Sequence, residues 1–300
     1  MECADMELQI DSAGAMEMAE TIFGSGIKIV SASYSGQSGQ VGIYSGAETT
    51  MPGVAPSDSG LILSTGKVAD FTQSSGDANI SAGTSTDFGK TGDAMLSKVS
   101  GQTTFDAAVF ESVFVPSGDV LTMQIVWSSE EYLEYVNSGF NDAFCVWVNG
   151  VPATLTVGTG DITIDNINTV SNANLYVDNP AAANTYNTEM DGFTVTLTLK
   201  VPVIEGQENT FRMAIGDGGD GAYDSAVMIA ADSVQVALIA EDDVLTIRKG
   251  TFERVDVLAN DRSSFPGELR VTKVNRVEVT EGSVVRLPSG DVIEVKGGGS

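Results

Sequence analysis

FCVWVNGVPATLTV, residues 144–157, places Asn149-Gly150 between two runs rich in valine, aromatic residues and threonine. Asn-Gly suits a two-residue turn whose central positions both need positive φ, so the stretch reads as a β-hairpin. The same texture recurs on either side. Ile27–Tyr34, Val41–Tyr44, Leu61–Ser64, Phe105–Phe114, Val120–Trp127, Ala143–Val148, Phe193–Val201, Phe211–Ile215 and Val227–Ile239 are all candidate strands. In Phe193–Val201, alternation puts Phe193, Val195, Leu197 and Leu199 on one face and the threonines and Lys200 on the other. Residues 13–23 form the one clear helix: Ala15, Met18, Ala19 and Ile22 follow helical spacing, Asp11 or Ser12 can cap the start, and Gly24 follows the end. Many strands, tight turns and one N-terminal helix predict a mainly β fold, a β-sandwich or jelly-roll-like domain. Residues 66–103 are polar and read as a long surface loop, uncommon in a compact domain.

The charge is lopsided. The 300 residues carry 41 acids and 15 bases, a net −26, and no histidine. Nucleic acid and anionic membrane surfaces are excluded as partners, because both need a basic face. Without histidine there is no Ser-His-Asp triad, no Cys-His dyad and no histidine-ligated metal. Two cysteines, Cys3 and Cys145, make neither a disulfide framework nor a thiolate metal site, and Cys145 reads as a small core residue. The N-terminal stretch is acidic and is not a Sec signal peptide; either a signal has been removed or export takes another route. No apolar run is long enough for a transmembrane segment. Residues 241–300 hold nine of the bases and a net −2, against −24 for residues 1–240. That shift marks a domain boundary near 240. The terminal Gly297–Ser300 reads as linker.

The acids concentrate in two places. WSSEEYLEYVNSGFNDAF, residues 127–144, holds Glu130, Glu131, Glu134 and Asp142 with no base. If Glu130 and Glu131 are extended they point to opposite faces, one toward a site and the other toward solvent. If Val120–Trp127 and Ala143–Val148 are sheet neighbours, Glu130, Glu131, Asn141 and Asp142 all sit at adjoining strand ends. GDGGDGAYDS, residues 216–225, sets Asp217, Asp220 and Asp224 among glycines that free the backbone to turn. Crowded carboxylates repel unless a proton or cation intervenes, and hard oxygens at this density suit calcium. The spacing is not that of an EF-hand loop. Glu130, Glu131, Asn141, Asp142, Asp217, Asp220 and Asp224 are therefore the candidate metal ligands, in one site or two. The competing reading is a solvated acidic surface that serves solubility or salt tolerance. Glu130, Glu131, Glu134 and Asp142 also contain enough carboxyls for a glycosidase pair, though nothing singles out a proton donor. Tyr132 and Tyr135, expected in the connecting loop, are candidates for stacking on a sugar, whereas Phe140 and Trp147 read as packing residues.

The chain resembles the bacterial choice-of-anchor L domain. The resemblance rests on AMEMAETIFGSGIKIVSASYSG, GIYSG, GLILSTGKVADF, WSSEEYLEYVNSGFNDAFCVWVNG, NLYVDN, YNTEMDGFTVTLTLKV and GDGGDGAYDSAVMI, spread in order over residues 13–240. AEDDVLTIRKG, VDVLANDRS and LRVTKV in residues 241–300 resemble the start of a bacterial cadherin-like or immunoglobulin-like tandem module. The resemblance implies an extracellular or cell-surface bacterial protein and supplies no ligand set. The expectation is then a non-enzymatic, calcium-binding surface protein acting in adhesion, matrix formation or surface assembly. Its partner would be a cell-surface or matrix component, a glycan or a further copy of itself. The alternatives are a lectin-like carbohydrate-binding module and a metal-independent filament or layer subunit.

Overall fold

In the computed structural model, the described residues are 7–24, 26–73, 79–183, 185–236, 250–259, 270–275, 277–287 and 289–296. The chain divides into two compact units, Met1–Gln235 and Val236–Ser300.

The first unit is a sandwich of two antiparallel sheets. Its strands are β1 (Gln9–Asp11), β2 (Ile27–Ser35), β3 (Val41–Ser45), β4 (Ser59–Ser64), β5 (Thr104–Pro116), β6 (Val120–Ser129), β7 (Ala143–Val148), β8 (Val151–Pro152), β9 (Thr154–Leu155), β10 (Ile162–Thr163), β11 (Tyr176–Asp178), β12 (Gly192–Thr194), β13 (Leu197–Pro202), β14 (Asn209–Gly218), β15 (Ser225–Ala230) and β16 (Gln235–Val236). The larger sheet runs β1-β3-β4-β15-β6-β12-β11, with β13, β16 and β9 attached alongside; the smaller runs β10-β7-β14-β5-β2, with β8 on β7. The helices are α1 (Ala15–Ile22), α2 (Ala47–Thr50) and α3 (Leu96–Ser100).

Between the sheets, Leu61, Leu63, Ile125, Trp127 and Val227 of one meet Phe110, Phe114, Phe144, Phe211 and Met213 of the other, all buried. Burying each such side chain contributes roughly 1.5–3 kcal/mol. The ring of Phe23 lies 5.3 Å from Phe114 and 5.4 Å from Phe211, within the range of favourable aromatic pairing. Helix α1 touches β2, β3 and β4 and buries Met18, Ala19 and Ile22, so it closes one open side of the sandwich. Its first turn is held by Glu17, whose carboxylate accepts the Gly14 amide at 2.9 Å. Asp11 does not cap it; Asp11 ends β1, paired with Ile43.

The outer faces are covered as well. Tyr44, Ala47, Met51, Val54, Val68 and Phe71 pack with Ile62, Val126, Ala226 and Met228 of the larger sheet. Leu96 of α3 packs with Cys145, Trp147 and Ala214 on the smaller one. Every residue of β7 and β15 is consequently buried. Cys145 is a free thiol whose pKa burial pushes up to about 12, an inert packing residue.

Three local expectations need correction. The hairpin forms, with Asn149 at φ 52° and Gly150 at φ 78°, but its second arm pairs only Val151 and Pro152 with β7. The chain then crosses to the other sheet, where β9 pairs β13. Phe193–Val201 is two strands, β12 and β13, and Val195 between them is exposed. Val227–Ile239 is also interrupted: β15 ends at Ala230, a turn follows, and residues 237–239 lie outside the described ones.

In the second unit the described residues form two short strand pairs, Lys273–Val274 with Val277–Glu278 and Val284–Arg286 with Val292–Glu294, around Val279, Val285 and Val295. Among the described residues these small pairs are what is formed of the region where the resemblance implied a cadherin-like or immunoglobulin-like module. The segment around 240, the positions of Cys3, Arg248, Lys249, Arg262 and Arg276, and the terminal linker lie outside the described residues. No helix among the described residues is long and apolar enough to cross a membrane.

Candidate functional site

β6 and β7 are not sheet neighbours; they lie in opposite sheets. Residues 130–142 therefore cross the end of the sandwich. Residues 219–224 do the same between β14 and β15, and so do the described residues of the connection between β4 and β5, 65–73 and 79–103. At this end Gly218 pairs with Thr104 and Ser225 with Ser129. The acids meet across the gap between the sheets, not along one sheet edge.

Asp142 ties the crossovers together. It is fully buried; its Oδ1 accepts the Gly218 amide at 2.9 Å, and its Oδ2 accepts the Ser225 hydroxyl at 2.6 Å and the Ser129 hydroxyl at 3.4 Å. Burial raises its pKa to about 7 against these donors. Asn141 acts beside it as a clamp, donating to the Ser100 carbonyl at 2.7 Å and accepting the Asp165 amide at 3.1 Å.

Asp217 lies next to Asp142 and is 1% exposed, yet neither of its oxygens has a hydrogen-bond partner of normal geometry. Burial pushes its pKa well above the usual range, and the charges of Asp142, Asp224 and Asp106 push the same way against the opposing Thr65 hydroxyl. The Asp224 Oδ1 accepts the Thr86 amide at 2.9 Å while its Oδ2 is unpartnered. Burial lifts this group to about 6 despite Thr86 and the nearby Lys67. Its carboxylate lies against Gly66 so closely that a Cβ there would sit 1.8 Å from Oδ2. Glu131, also buried, is raised to about 9 by burial and then by Asp142 and Asp220. Asp220 is on the exposed rim, accepting the Ala222 amide at 3.1 Å.

Glu130 turns the other way. Burial, Asp191 and Glu189 raise it to about 9, with the Thr84 hydroxyl and amide opposing, and neither of its oxygens has a hydrogen-bond partner of normal geometry. The expected divergence of Glu130 and Glu131 is present, but neither side chain reaches solvent: both are 1% exposed. Glu189 and Asp191 come from the connection between β11 and β12, which returns to this end because Gly192 pairs with Ser129.

The polar loop threads these groups. Asn79 donates to Asp191 at 3.0 Å, and the amides of Phe88 and Lys90 donate to Asp106 at 2.7 and 2.6 Å. The Asp224 amide in turn donates to the Thr84 carbonyl at 3.0 Å. A stretch without periodic sequence signal thus supplies the donors that hold the acids in place. A register shift between β5 and β14 places Asp106, at φ 45°, on a bulge aimed into the cluster.

Among the described residues, no three Asp, Glu, His or Cys side chains are placed to grip one ion. Any cation here would combine one or two carboxylates with amide and carbonyl oxygens.

The family model of the choice-of-anchor L domain matches residues 7–235. The chain belongs to this family. Neither a curated protein nor a solved structure matches it. The match spans the sandwich and ends where the first compact unit ends, at Gln235. A choice-of-anchor L domain points to a bacterial cell-surface or secreted protein.

The choice-of-anchor L sandwich gathers Glu131, Asp142, Asp217 and Asp224 on one side and separates Glu130 from them. Asn141 and Asp142 are occupied as structural acceptors and donors. Tyr132 is corrected outright: it is buried, donates to the Ile167 carbonyl at 2.6 Å, and lies against Trp127 and Tyr176, leaving no face for a sugar. Tyr135 is partly exposed, beside Phe140 and Tyr223. Sequence reasoning missed Asp106, Glu189, Asp191 and the loop donors. Asp106 carried a signal, an acid inside the apolar strand TFDAAVF; Glu189 and Asp191 stood only in a family block.

Proposed function

We propose that this choice-of-anchor L protein is a non-enzymatic surface protein that binds calcium at the crossover end of its sandwich and works in adhesion, matrix formation or surface assembly. The observation that carries the reading is Asp217: a buried carboxylate with neither oxygen in a hydrogen bond of normal geometry, set amid Asp142, Asp224 and Asp106 with the Thr65 hydroxyl alone opposing them. An unpaired buried charge is costly, and a proton or a cation must offset it. The donors are all oxygen, which suits calcium over softer metals. Asp217 and the free Oδ2 of Asp224 would hold the ion. Bound there, calcium would fasten the three inter-sheet crossovers and stiffen the surface presented to a partner.

Calcium binding to the folded state alone stabilises it by about 2.7 kcal/mol at a hundredfold excess over Kd. Chelation is expected to lower Tm by roughly 5–10 °C, the scale for a domain of this size. Calorimetry with calcium and with chelator checks this. An unchanged melting curve would count against calcium and favour the metal-independent filament or layer subunit.

The partly exposed rings of Tyr135, Phe140 and Tyr223 support a second reading, a sugar-stacking rim beside the acids. It predicts glycan-array binding reduced at least tenfold by Tyr135→Ala, since losing about 1.4 kcal/mol is a factor of ten. No bound glycan, or binding indifferent to Tyr135, would dispose of it.

A further inference from the structure

Glu130 and the residues around it form a separate arrangement from the cluster at Asp217. Three side chains there present oxygens without a donor in hydrogen-bond geometry: Glu130 through both Oε1 and Oε2, with Thr84 alone set against its charge, Asn79 through Oδ1 and Asn179 through Oδ1. All three are at least 98% buried. The amide orientations are fixed by what the nitrogens do. The Nδ2 of Asn79 donates to Asp191 Oδ1 and to the Asn179 carbonyl, both at 3.0 Å. The Nδ2 of Asn179 donates to the Thr188 and Met190 carbonyls at 3.1 and 2.9 Å. Flipping either amide would set its oxygen against two acceptors. Asp191 joins the group through Asn79. Glu189 is more fully served than Glu130: the Gln73 side chain and the Ile80 and Ser81 amides attend its carboxylate, whereas Glu130 has Thr84 alone.

A proton on Glu130 gives one O–H, which can satisfy one of the two amide oxygens and leaves the other bare. Buried amide oxygens without a partner are uncommon, because each has given up its hydrogen bonds to water with nothing in return. A calcium ion needs about 6–8 oxygens and accepts carboxylates, side-chain amides and backbone carbonyls together. A group with two carboxylates and two amide oxygens also lies outside any arrangement of three acids around one ion, so the absence of such an arrangement does not bear on it.

We propose a second calcium site, distinct from the one at Asp217, formed by Glu130 and Asp191 with the side-chain oxygens of Asn79 and Asn179. It rests on the calcium reading of the acidic end and extends it. The ion would join β6, the β11–β12 connection and the start of the 79–90 loop, whereas the ion at Asp217 would join β14, β15 and the later part of that loop. Adjacent residues in the chain, Glu130 and Glu131, would then serve neighbouring but different ions.

The test is ion counting on the full chain, by equilibrium dialysis against radioactive calcium and by native mass spectrometry. The wild-type protein is expected to bind two ions. Asp217→Asn and Glu130→Gln should each bind one. Glu130→Gln keeps an oxygen for Thr84 and removes the buried charge, so it should fold and melt no lower than wild type in chelator. Asn79→Ala provides an independent arm, with one ion expected. A wild-type protein that binds one ion, retained in Glu130→Gln and Asn79→Ala and lost in Asp217→Asn, overturns this second site and leaves the first standing. A wild-type protein that binds none overturns both.

Discussion

Asp142→Ala is expected to destabilise the sandwich by about 3–5 kcal/mol, lowering Tm by roughly 10 °C. The magnitude follows from three donors that would lose their acceptor in a buried setting: the Gly218 amide, the Ser225 hydroxyl and the Ser129 hydroxyl. An unsatisfied buried donor costs about 1–3 kcal/mol, and the serine hydroxyls can recover part of that by rotating. Asp142 also stands where three strand ends from two sheets come together, so no solvent-exposed rearrangement replaces it. Asp142→Asn should cost less, because its Oδ1 can still accept from Gly218. Urea unfolding of both variants, with wild type, measures the difference. A loss below about 1 kcal/mol for Asp142→Ala would mean that the crossovers hold together without this carboxylate.

The second large effect is on pH dependence. In the folded protein burial holds Glu130 and Glu131 at about 9, against an ordinary value of 4.5. The native state therefore binds these protons more tightly than the unfolded chain. The stability this confers is complete below pH 4.5, declines as pH rises, and is gone above about 9. Across that window each carboxyl removes up to about 1.4 kcal/mol per pH unit. With chelator present, Tm should fall steadily from pH 5 to pH 9. With saturating calcium the ion takes the place of the proton, and the fall should flatten. The two series of melting curves, run side by side, decide the matter. A Tm in chelator that does not change between pH 5 and pH 9 would show that these carboxyls are ionised in the fold at no cost.

The strand positions were largely legible because β-branched and aromatic runs punctuated by glycine are a local signal. Ala143–Val148 begins and ends in the structure where its residue pattern placed it. Pairing was less legible. Neighbouring strands in sequence, β6 and β7, belong to different sheets, and an apolar run such as FCVWV says nothing about which sheet it joins. Strands covered on both faces, such as β15, lose the alternation that would reveal their orientation. The hairpin's second arm stops short beyond Ala153, whose amide still donates to the Val146 carbonyl, because Thr154 and Leu155 pair with β13 in the other sheet.

The acids show the same division. Their abundance, the lack of histidine and the two glycine- and asparagine-rich acidic runs are plain in the sequence, and they restrict the chemistry to oxygen ligands and protons. Which acids share a space is not. Glu130 and Glu131 are adjacent in the chain and face different neighbours, while Glu130 and Asp191 are far apart in sequence and influence each other's charge. By itself, then, the sequence determined an anionic, mainly β chain, because composition, turn chemistry and strand texture are properties of neighbouring residues, while the family came from the resemblance of its ordered blocks. Only the tertiary structure decided that Glu130, Glu131, Asp142, Asp217 and Asp224 lie inside and not on the surface, and that Glu130 is set apart from the others. That outcome depends on which crossovers meet at one end of the sandwich, and long-range pairing leaves no trace in local spacing.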